Sequence, residues 1–302
     1  MHSYNAGMTR PTLHLVDASL YVFRAWHSMP DDFRDDDGWP TNAVHGFARF
    51  LLELLERERP RHIAIAFDES LGSNFRHAIY PAYKANRDPA PPELKRQFVW
   101  CKALCQALGL VTLAHADFEA DDLIGSAAHA MRGQGFRSVI VSADKDLSQL
   151  LQADDEQYDF AKGQRWGHAG VRARHGVRAE QIADYLALAG DAVDNIPGVQ
   201  GIGPKSAAVL LSHFGTLNAL LERIDEVPFL RLRGAAQMAA RLREQREQTL
   251  LWRRLTTVAV DAPLPEGDFR RARGDAAELT ALADWIGFGD MTRKRLADAA
   301  SL

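Results

Sequence analysis

Three short apolar runs, each leading into an acidic residue, dominate the first half of the chain. Leu13–Val16 is followed by Asp17, Ile63–Phe67 by Asp68, and Val139–Val141 by Ser142, Ala143 and Asp144. Runs of this length with polar boundaries are typical of buried strands. Amphipathic stretches with helical spacing, Ala43–Arg57 and Asp121–Arg132, lie between them. The alternation predicts an α/β domain in which helices cover a parallel sheet.

The pattern after these runs predicts further regions. Between residues 72 and 105, proline-containing pairs interrupt regular structure, and we interpret this part as a loop plus a short helix that projects over the sheet edge. From about Gln181 the pattern is helical, with a Gly-rich hairpin at Gly198–Gly203, a helix over Ala207–His213 and Arg-rich helices over Ala235–Arg254. We divide the chain into an α/β domain over residues 10–175, a helical region over 176–265 and a tail of unassigned role over 266–302.

Composition narrows the class of protein. The chain has 302 residues, 46% hydrophobic and 25% charged, which excludes a disordered, collagenous or disulfide-rich protein. Cys101 and Cys105 have no second pair to complete a zinc site, and we expect them to be buried and reduced. No apolar run is long enough for a signal peptide or a membrane span, so we expect a cytoplasmic protein without membrane contact.

Nine carboxylates stand at five places where predicted elements begin or end: Asp17, Asp68, Glu119 with Asp121 and Asp122, Asp144 with Asp146, and Asp191 with Asp194. Singly, such residues are ordinary helix caps. The carboxyl ends of parallel strands meet at one edge, however, and packed like charges are costly unless they are neutralised. An all-oxygen set without His or Cys predicts Mg²⁺ or Mn²⁺, and the number of acids predicts two ions that act on a phosphodiester.

A covalent route through an aspartyl-phosphate is disfavoured. That class of phosphohydrolase needs a second Asp two residues after the first, whereas Ala18 and Ser19 follow Asp17. We therefore favour attack by water that a metal activates.

Basic residues concentrate in the interrupted segment. Residues 72–105 carry six basic and two acidic side chains, a net charge of +4. The spacing of Tyr83, Lys84 and Arg87 predicts that Tyr83 and Arg87 share one helical face beside Lys84. An aromatic ring and two cations above an acidic cluster suit an unstacked base and a scissile phosphate, although a solvated basic face has the same composition.

Lys205 and Ser206 follow the Gly-rich hairpin after a single residue, Pro204. Its glycines permit a tight turn, and free N–H groups at the start of the next helix can bind a phosphate without reading a base. A plain turn between helices is the alternative interpretation. Basic stretches over Lys162–Arg178 and Arg231–Arg254 either extend a sequence-independent duplex track or simply keep the protein soluble.

Several motifs share their order and spacing with one family: Leu15–Ser19, Phe67-Asp68, Phe75-Arg76, Tyr83–Arg87, Glu119–Asp122, Ser142–Asp146 and Gly190–Val199. Together they resemble the 5′-nuclease domain of bacterial DNA polymerase I, over about residues 12–260. The resemblance implies a PIN-like parallel sheet flanked by helices, with a C-terminal helix-three-turn-helix DNA-binding region. No polymerase segment follows in this sequence, so we expect a stand-alone 5′-3′ exonuclease or flap endonuclease.

The resemblance also implies roles for individual residues. The expected first metal site comprises Asp17, Asp68, Glu119 and Asp121, and the second comprises Asp122, Asp144, Asp146, Asp191 and Asp194. Residues 72–105 are expected to form a gateway whose catalytic residues are Arg76, Tyr83, Lys84 and Arg87. DNA is expected at Gly198, Gly201, Gly203, Lys205 and Ser206, and a K⁺ ion at the backbone carbonyls of Val199 and Ile202.

These observations predict a Mg²⁺-dependent, structure-selective DNA 5′-nuclease, a monomer acting in DNA replication or repair alongside a DNA polymerase. A non-catalytic binder of flaps or junctions and an RNA-directed nuclease stay open as alternatives. The net charge of −4 argues at face value against a polyanionic partner. Without the nine assigned acids, 36 basic residues face 31 acidic ones, a balance of +5, so charge segregation is the informative quantity.

Overall fold

A single six-stranded sheet organises the first domain. The computed structural model describes residues 10–30, 32–69 and 74–301. The strands are β1 (Thr12–Asp17), β2 (His62–Ala66), β3 (Val111–Leu113), β4 (Arg137–Val141), β5 (Glu156–Asp159) and β6 (Gln164–Gly167). Their order is β3-β2-β1-β4-β5-β6, and all neighbours pair in parallel except β5 and β6, which are antiparallel. The predicted parallel sheet is confirmed, with one antiparallel edge strand.

Thirteen α-helices occur in the described part of the chain. Those before the hairpin are α1 (Ala18–Ser28), α2 (Asn42–Glu58), α3 (Phe75–Ile79), α4 (Pro92–Ala107), α5 (Ala120–Gly133), α6 (His168–His175) and α7 (Ile182–Ala189). Those after it are α8 (Pro204–Phe214), α9 (Leu217–Glu222), α10 (Ala235–Glu244), α11 (Arg246–Thr256), α12 (Ala276–Ile286) and α13 (Asp290–Ala300). Short 3₁₀ helices span Asp146–Leu150, Ala179–Gln181 and Ile224–Phe229.

The two faces of the sheet bury two different sets of apolar side chains. Leu13 and Leu15 of β1 pack with α5 on one face. Val16 of β1 packs with Ile63 and Ile65 of β2 against α1, α2 and α4 on the other. Because strand residues alternate between faces, helices on both sides explain why apolar residues occupy successive positions of these strands.

The structure corrects the extent of the predicted gateway. Helix α4 is a core helix, since Leu94, Cys101, Leu104 and Cys105 are buried on the face of the sheet that α2 also covers. The projecting part is therefore confined to the stretch between α3 and α4. Residues 72 and 73, the first two of the predicted gateway, lie outside the described residues. The prolines at the start of α4 mark its N-terminus rather than a continuing loop.

A close backbone approach shapes the turn between α7 and α8. Gly190 and Gly198 both have positive φ, 83° and 69°. A Cβ on Gly198 would lie 2.3 Å from the backbone nitrogen of Gly190, and a Cβ on Gly190 would lie 2.7 Å from the carbonyl oxygen of Pro197. Glycine is thus required at both positions, by conformation and by space.

The last two helices pack on the first domain. The buried residues Ile286 and Phe288, at the turn between α12 and α13, belong to the same apolar cluster as α2 and α4. The Ile286 carbonyl oxygen also lies 3.3 Å from Nε2 of His45 in α2. The segment that the sequence left without a role therefore closes one face of the α/β core.

The structure bears on two expectations from composition: that the cysteines are buried and reduced, and that the chain has no membrane span. Both cysteines are buried and free, as predicted. Among the helices of the described residues, none combines the length and apolar character needed to cross a membrane.

We expect Gly198→Ala to lower the free energy of unfolding by about 2 kcal/mol, because alanine must adopt a left-handed φ and displace the Gly190 backbone. Gly133→Ala, at the end of α5 with no atom within 4 Å of the added Cβ, is the matched control and should be neutral or slightly stabilising. Urea unfolding followed by circular dichroism measures both. Equal effects of the two substitutions contradict the close-approach account.

Candidate functional site

Three acids lie just beyond neighbouring parallel strands. Asp17 ends β1, Asp68 follows β2 and Asp144 follows β4, the three adjacent strands at the centre of the sheet. From β1 the chain continues to β2 and β3 toward one edge of the sheet. It then returns to β4, on the other side of β1, and continues through β5 to β6 at the opposite edge. The crevice between β1 and β4 is therefore the switch point at which open α/β sheets bind ligands.

The loop after β4 is fastened to the end of β1 by one hydroxyl. Ser142 Oγ donates to Asp17 Oδ2 at 2.9 Å and accepts the backbone N–H of Asp144 at 3.1 Å. Asp144 Oδ1 in turn accepts the N–H of Asp146 at 2.9 Å. The chain of hydrogen bonds fixes three of the predicted carboxylates relative to one another.

A similar arrangement joins the end of β2 to the start of α5. Asp68 Oδ1 accepts the N–H of Ala120 at 2.8 Å, and the Asp68 N–H donates to Ser19 Oγ at 2.9 Å. Glu119 is the N-cap of α5, and Asp121 lies in its first turn, where acidic residues are favoured by the helix dipole. Helix α5 thus brings its acids to the same edge as the strand ends.

Crowding of these acids raises their pKa values. Burial, with the charges of Asp68 and Asp144, raises the pKa of Asp17 to about 7. Burial and the charges of Asp144 and Asp17 raise the pKa of Asp121 well above its ordinary value. Burial likewise raises the pKa of Asp146, whose Oδ1 is buried without a hydrogen-bond partner in the described chain. The cluster stores electrostatic repulsion that a cation would relieve.

Four cations contact other members of the acidic set. Lys84 Nζ lies 2.6 Å from Glu119 Oε1, and Arg76 Nη1 lies 3.4 Å from Glu119 Oε2. Arg87 Nη2 lies 2.8 Å from Asp194 Oδ1, and Lys145 Nζ lies 2.8 Å from Asp191 Oδ2 and 3.6 Å from Asp146 Oδ1. Within the described residues, no three acids are arranged as a ready coordination sphere for one ion. Glu119, Asp191 and Asp194 would have to exchange a cation for a metal ion in order to act as ligands.

Tyr83 does not occupy the predicted position. Residues 81–86 form consecutive turns rather than a helix, and Lys84 has a positive φ of 53°, so the shared helical face is wrong. The Tyr83 side chain is buried, and its hydroxyl lies 3.0 Å from both Glu119 Oε2 and Asp194 Oδ2. A ring at 1% exposure cannot stack on a base.

Arg76 and Asp122 form a buried ion pair, which corrects two further assignments. Arg76 donates two parallel hydrogen bonds to the Asp122 carboxylate, each 2.7 Å long. The two side chains are 3% and 0% exposed. Burial lowers the pKa of Arg76, but the hydrogen bonds and charge of Asp122 outweigh this and raise it overall. Asp122 is thereby removed from the second metal set, and Arg76 is removed from the residues that can touch a substrate.

The hairpin residues lie where the sequence places them. Gly198 and Gly201 have positive φ, and Lys205 is exposed in the first turn of α8. Val199 and Ile202 are buried, and the Ile202 N–H donates to the Val199 carbonyl oxygen at 2.9 Å. The turn therefore presents an exposed lysine and a helix start on one side and a buried apolar pair on the other.

The sequence did not predict the hydrogen bonds that join the gateway to the loop after α7. Asn86 Nδ2 donates to the Ala192 carbonyl oxygen and Asn195 Nδ2 donates to the Ala82 carbonyl oxygen, both at 2.7 Å. Asn195 has a φ of 57°, a conformation that asparagine tolerates better than most residues. An Asn before Ile-Pro-Gly signals a turn in the sequence, but nothing local links it to residue 82.

The family follows from a comparison of the sequence with known domains. Residues 12–176 match the 5′-3′ exonuclease, N-terminal resolvase-like domain, and residues 177–276 match the 5′-3′ exonuclease, C-terminal SAM fold. The chain belongs to the 5′-3′ exonuclease family. This family comprises 5′-3′ exonucleases and flap endonucleases, which are hydrolases acting on DNA phosphodiesters. The resemblance expected from the motifs is confirmed.

Curated relatives of this exonuclease-family chain are much longer proteins. It is 42% identical to DNA polymerase I of Rhizobium leguminosarum over 222 residues, 71% of this chain and 22% of that protein. It is 35% identical to DNA polymerase I of Bacillus caldotenax over 288 residues, 93% of this chain and 32% of that protein. The chain thus spans less than a third of the length of these relatives.

Solved structures share the fold of this exonuclease-family chain. The flap endonuclease of bacteriophage T5, crystallised with DNA and metal ions, superposes with a TM-score of 0.66 at 21% identity, covering 96% of this chain and all of that one. The catalytic core of Rad2 with a DNA substrate gives a TM-score of 0.64 at 13% identity, covering 96% and 92%. The predicted fold class is confirmed.

We expect the metal-free protein to lose stability as the pH rises from about 4 to 7. The pKa of Asp17 is raised from 3.8 to about 7, so across this window the unfolded chain gives up a proton that the folded protein keeps. A bound divalent cation needs the charged carboxylate and removes this penalty. MnCl₂ should therefore raise the thermal unfolding midpoint more at pH 8 than at pH 5. Equal shifts at both pH values contradict the assignment, and Asp17→Asn should reduce the difference.

Proposed function

We propose that this protein is a structure-selective DNA 5′-nuclease, a 5′-3′ exonuclease or 5′-flap endonuclease that depends on two divalent metal ions. One observation carries the proposal: among the described residues, Asp17, Asp68, Asp121 and Asp144 gather at the sheet switch point without a Lys, Arg or His at ion-pair distance. Uncompensated carboxylates of this kind suit cations better than a purely structural role.

The donor set fits Mg²⁺ or Mn²⁺. It consists of carboxylate oxygens, and one of them, Asp146 Oδ1, is buried without a hydrogen-bond partner in the described chain, with Lys145 Nζ 3.6 Å away. Asp17, Asp68, Glu119 and Asp121 would hold the first ion, and Asp144, Asp146, Asp191 and Asp194 the second. When bound, such ions activate water and stabilise the charge that develops on a phosphodiester. The T5 5′-exonuclease, which has this fold, has been solved with bound divalent metal ions, and this supports a divalent-metal site here.

The gateway cations are proposed to act on the scissile phosphate. Lys84 and Arg87 now contact Glu119 and Asp194, within reach of the acidic edge. Metal ions at these carboxylates would release both cations, which could then offset negative charge on the reacting phosphate. Tyr83 would serve a different purpose, because its buried hydroxyl holds Glu119 and Asp194 in place.

The hairpin is proposed to hold the duplex. Lys205 and Ser206 at the start of α8, with Gly198, Gly201 and Gly203, would bind phosphates without reading bases. We also propose that a K⁺ ion binds in this hairpin, at the backbone carbonyls of Val199 and Ile202. We further propose that the protein is a monomer that acts in the cytoplasm in DNA replication or repair, in a pathway shared with a DNA polymerase.

A flap duplex with MgCl₂ is the direct assay of activity. We expect wild-type protein to cut the flap, and Asp144→Asn combined with Asp146→Asn to lower the rate about a hundredfold or more, because both substitutions remove charged metal ligands. Asp290→Asn with Asp298→Asn, two exposed acids of α13, is the charge-matched control. Tight flap binding in EDTA without cleavage in any metal would instead establish the non-catalytic alternative, and an RNA flap tested in parallel decides between the two polymers.

We expect substitution of Lys84 and of Lys205 to affect different steps, cleavage in the first case and binding in the second. Lys84→Ala should lower the single-turnover cleavage rate about tenfold or more with little change in flap affinity, because its cation acts on the reacting phosphate. Lys205→Ala should mainly weaken binding and reduce the salt dependence of affinity by about one ion. Single-turnover kinetics and salt titrations of binding separate the two. Equal losses of flap affinity in both variants would contradict the assignment of Lys84 to cleavage and Lys205 to binding.

A further inference from the structure

A short segment at the C-terminal end of α11 is hydrogen-bonded to three side chains of the first domain beside the acidic edge. The segment is Leu255–Ala259, and the side chains are Arg76, Asp122 and Gln149, which we call the brace. All three contact the backbone of the segment rather than its side chains. These hydrogen bonds therefore fix the path of the backbone in this segment.

The ion pair makes one half of the brace. Arg76 Nε donates to the Leu255 carbonyl oxygen at 2.9 Å, and Nη2 donates to the Thr257 carbonyl oxygen at 3.1 Å. Asp122 Oδ1 accepts the N–H of Ala259 at 2.8 Å. On the side of the acidic edge, Asp122 Oδ2 accepts the Glu119 N–H at 3.1 Å.

Gln149 makes the other half. Its Nε2 donates to the Thr256 carbonyl oxygen at 3.1 Å, and its Oε1 accepts the Val258 N–H at 3.0 Å. The same Nε2 also donates to the Asp146 carbonyl oxygen at 2.9 Å. One amide thus ties the segment to the backbone of a proposed metal ligand.

The other end of the connection reaches the hairpin. Trp252 of α11 is buried and donates its indole N–H to the Gly198 carbonyl oxygen at 3.1 Å. Trp252 lies one helical turn before Leu255, where the braced segment begins. The hairpin, α11 and the brace therefore form one continuous connection from the proposed duplex site to the carboxylates.

We propose that the brace determines the position at which the DNA is cut, by fixing the distance between the hairpin and the acidic edge. This inference rests on the proposed nuclease function. Consecutive phosphates of one strand are separated by about 3.4 Å along the duplex axis, so a small displacement of α11 brings a different phosphate to the metal site. Arg76, Asp122 and Gln149 are positioning residues, since Arg76 and Asp122 are buried and the Gln149 amide is bonded to backbone groups.

Gln149→Ala tests the proposal without removing a buried charge. On a 5′-labelled flap resolved to single nucleotides, we expect the fraction of products cut away from the main position to rise at least about fivefold. Flap affinity and the number of Mn²⁺ ions bound, measured by calorimetry, should stay unchanged. Gln134→Ala, an exposed glutamine after α5, is the matched control and should keep the wild-type product lengths.

Arg76→Lys provides a second variant, because lysine keeps the charge but cannot form the paired hydrogen bonds. A shift or spread of product lengths in either variant supports the proposal. Wild-type product lengths in both variants overturn it, even if the rate or the thermal unfolding midpoint falls, because that result describes a merely stabilising contact. Absence of cleavage by the wild-type protein overturns the nuclease function itself, and the inference with it.

Discussion

Repulsion between carboxylates at the ends of parallel strands is the constraint on which the site depends. A parallel sheet brings β1, β2 and β4 to a common edge, so Asp17, Asp68 and Asp144 are placed together by topology alone. The surroundings then divide the acids into two groups. Glu119, Asp191 and Asp194 contact cations, whereas Asp17, Asp68, Asp121 and Asp144 have no Lys, Arg or His at ion-pair distance among the described residues. The second group holds the unrelieved charge that suits metal ions.

Strand periodicity was sufficient to predict the acidic edge, because a strand end is a local feature and a parallel sheet aligns such ends. Tyr83, Arg76 and Asp122 were misassigned because their roles depend on burial and on partners far away in the sequence. In the sequence alone, a basic residue near a set of acidic residues cannot be distinguished as a substrate contact or as one half of a buried ion pair. Helix α4 was missed for a related reason, since its N-terminal prolines are also the residues that interrupt a loop.

Opposite charges are separated within the molecule over short distances. The acids converge on one edge of the sheet, while Lys205 stands exposed beside the hairpin and Arg87 and Lys84 lie over the acids. A formal net charge of −4 therefore says little about affinity for a polyanion. Affinity for DNA depends instead on the local charge along its path. A phosphate backbone would contact the exposed basic groups first and would approach the acids only where cations lie between phosphate and carboxylate.

The two C-terminal helices have a consequence for how the chain folds during synthesis. Ile286 and Phe288 complete the apolar cluster formed by α2 and α4, which both come before residue 108. That face of the α/β domain stays open until Ile286 and Phe288 have left the ribosome, although domains generally fold from the N-terminus as they emerge. The nascent first domain thus carries an exposed apolar surface until α12 and α13 are available to cover it.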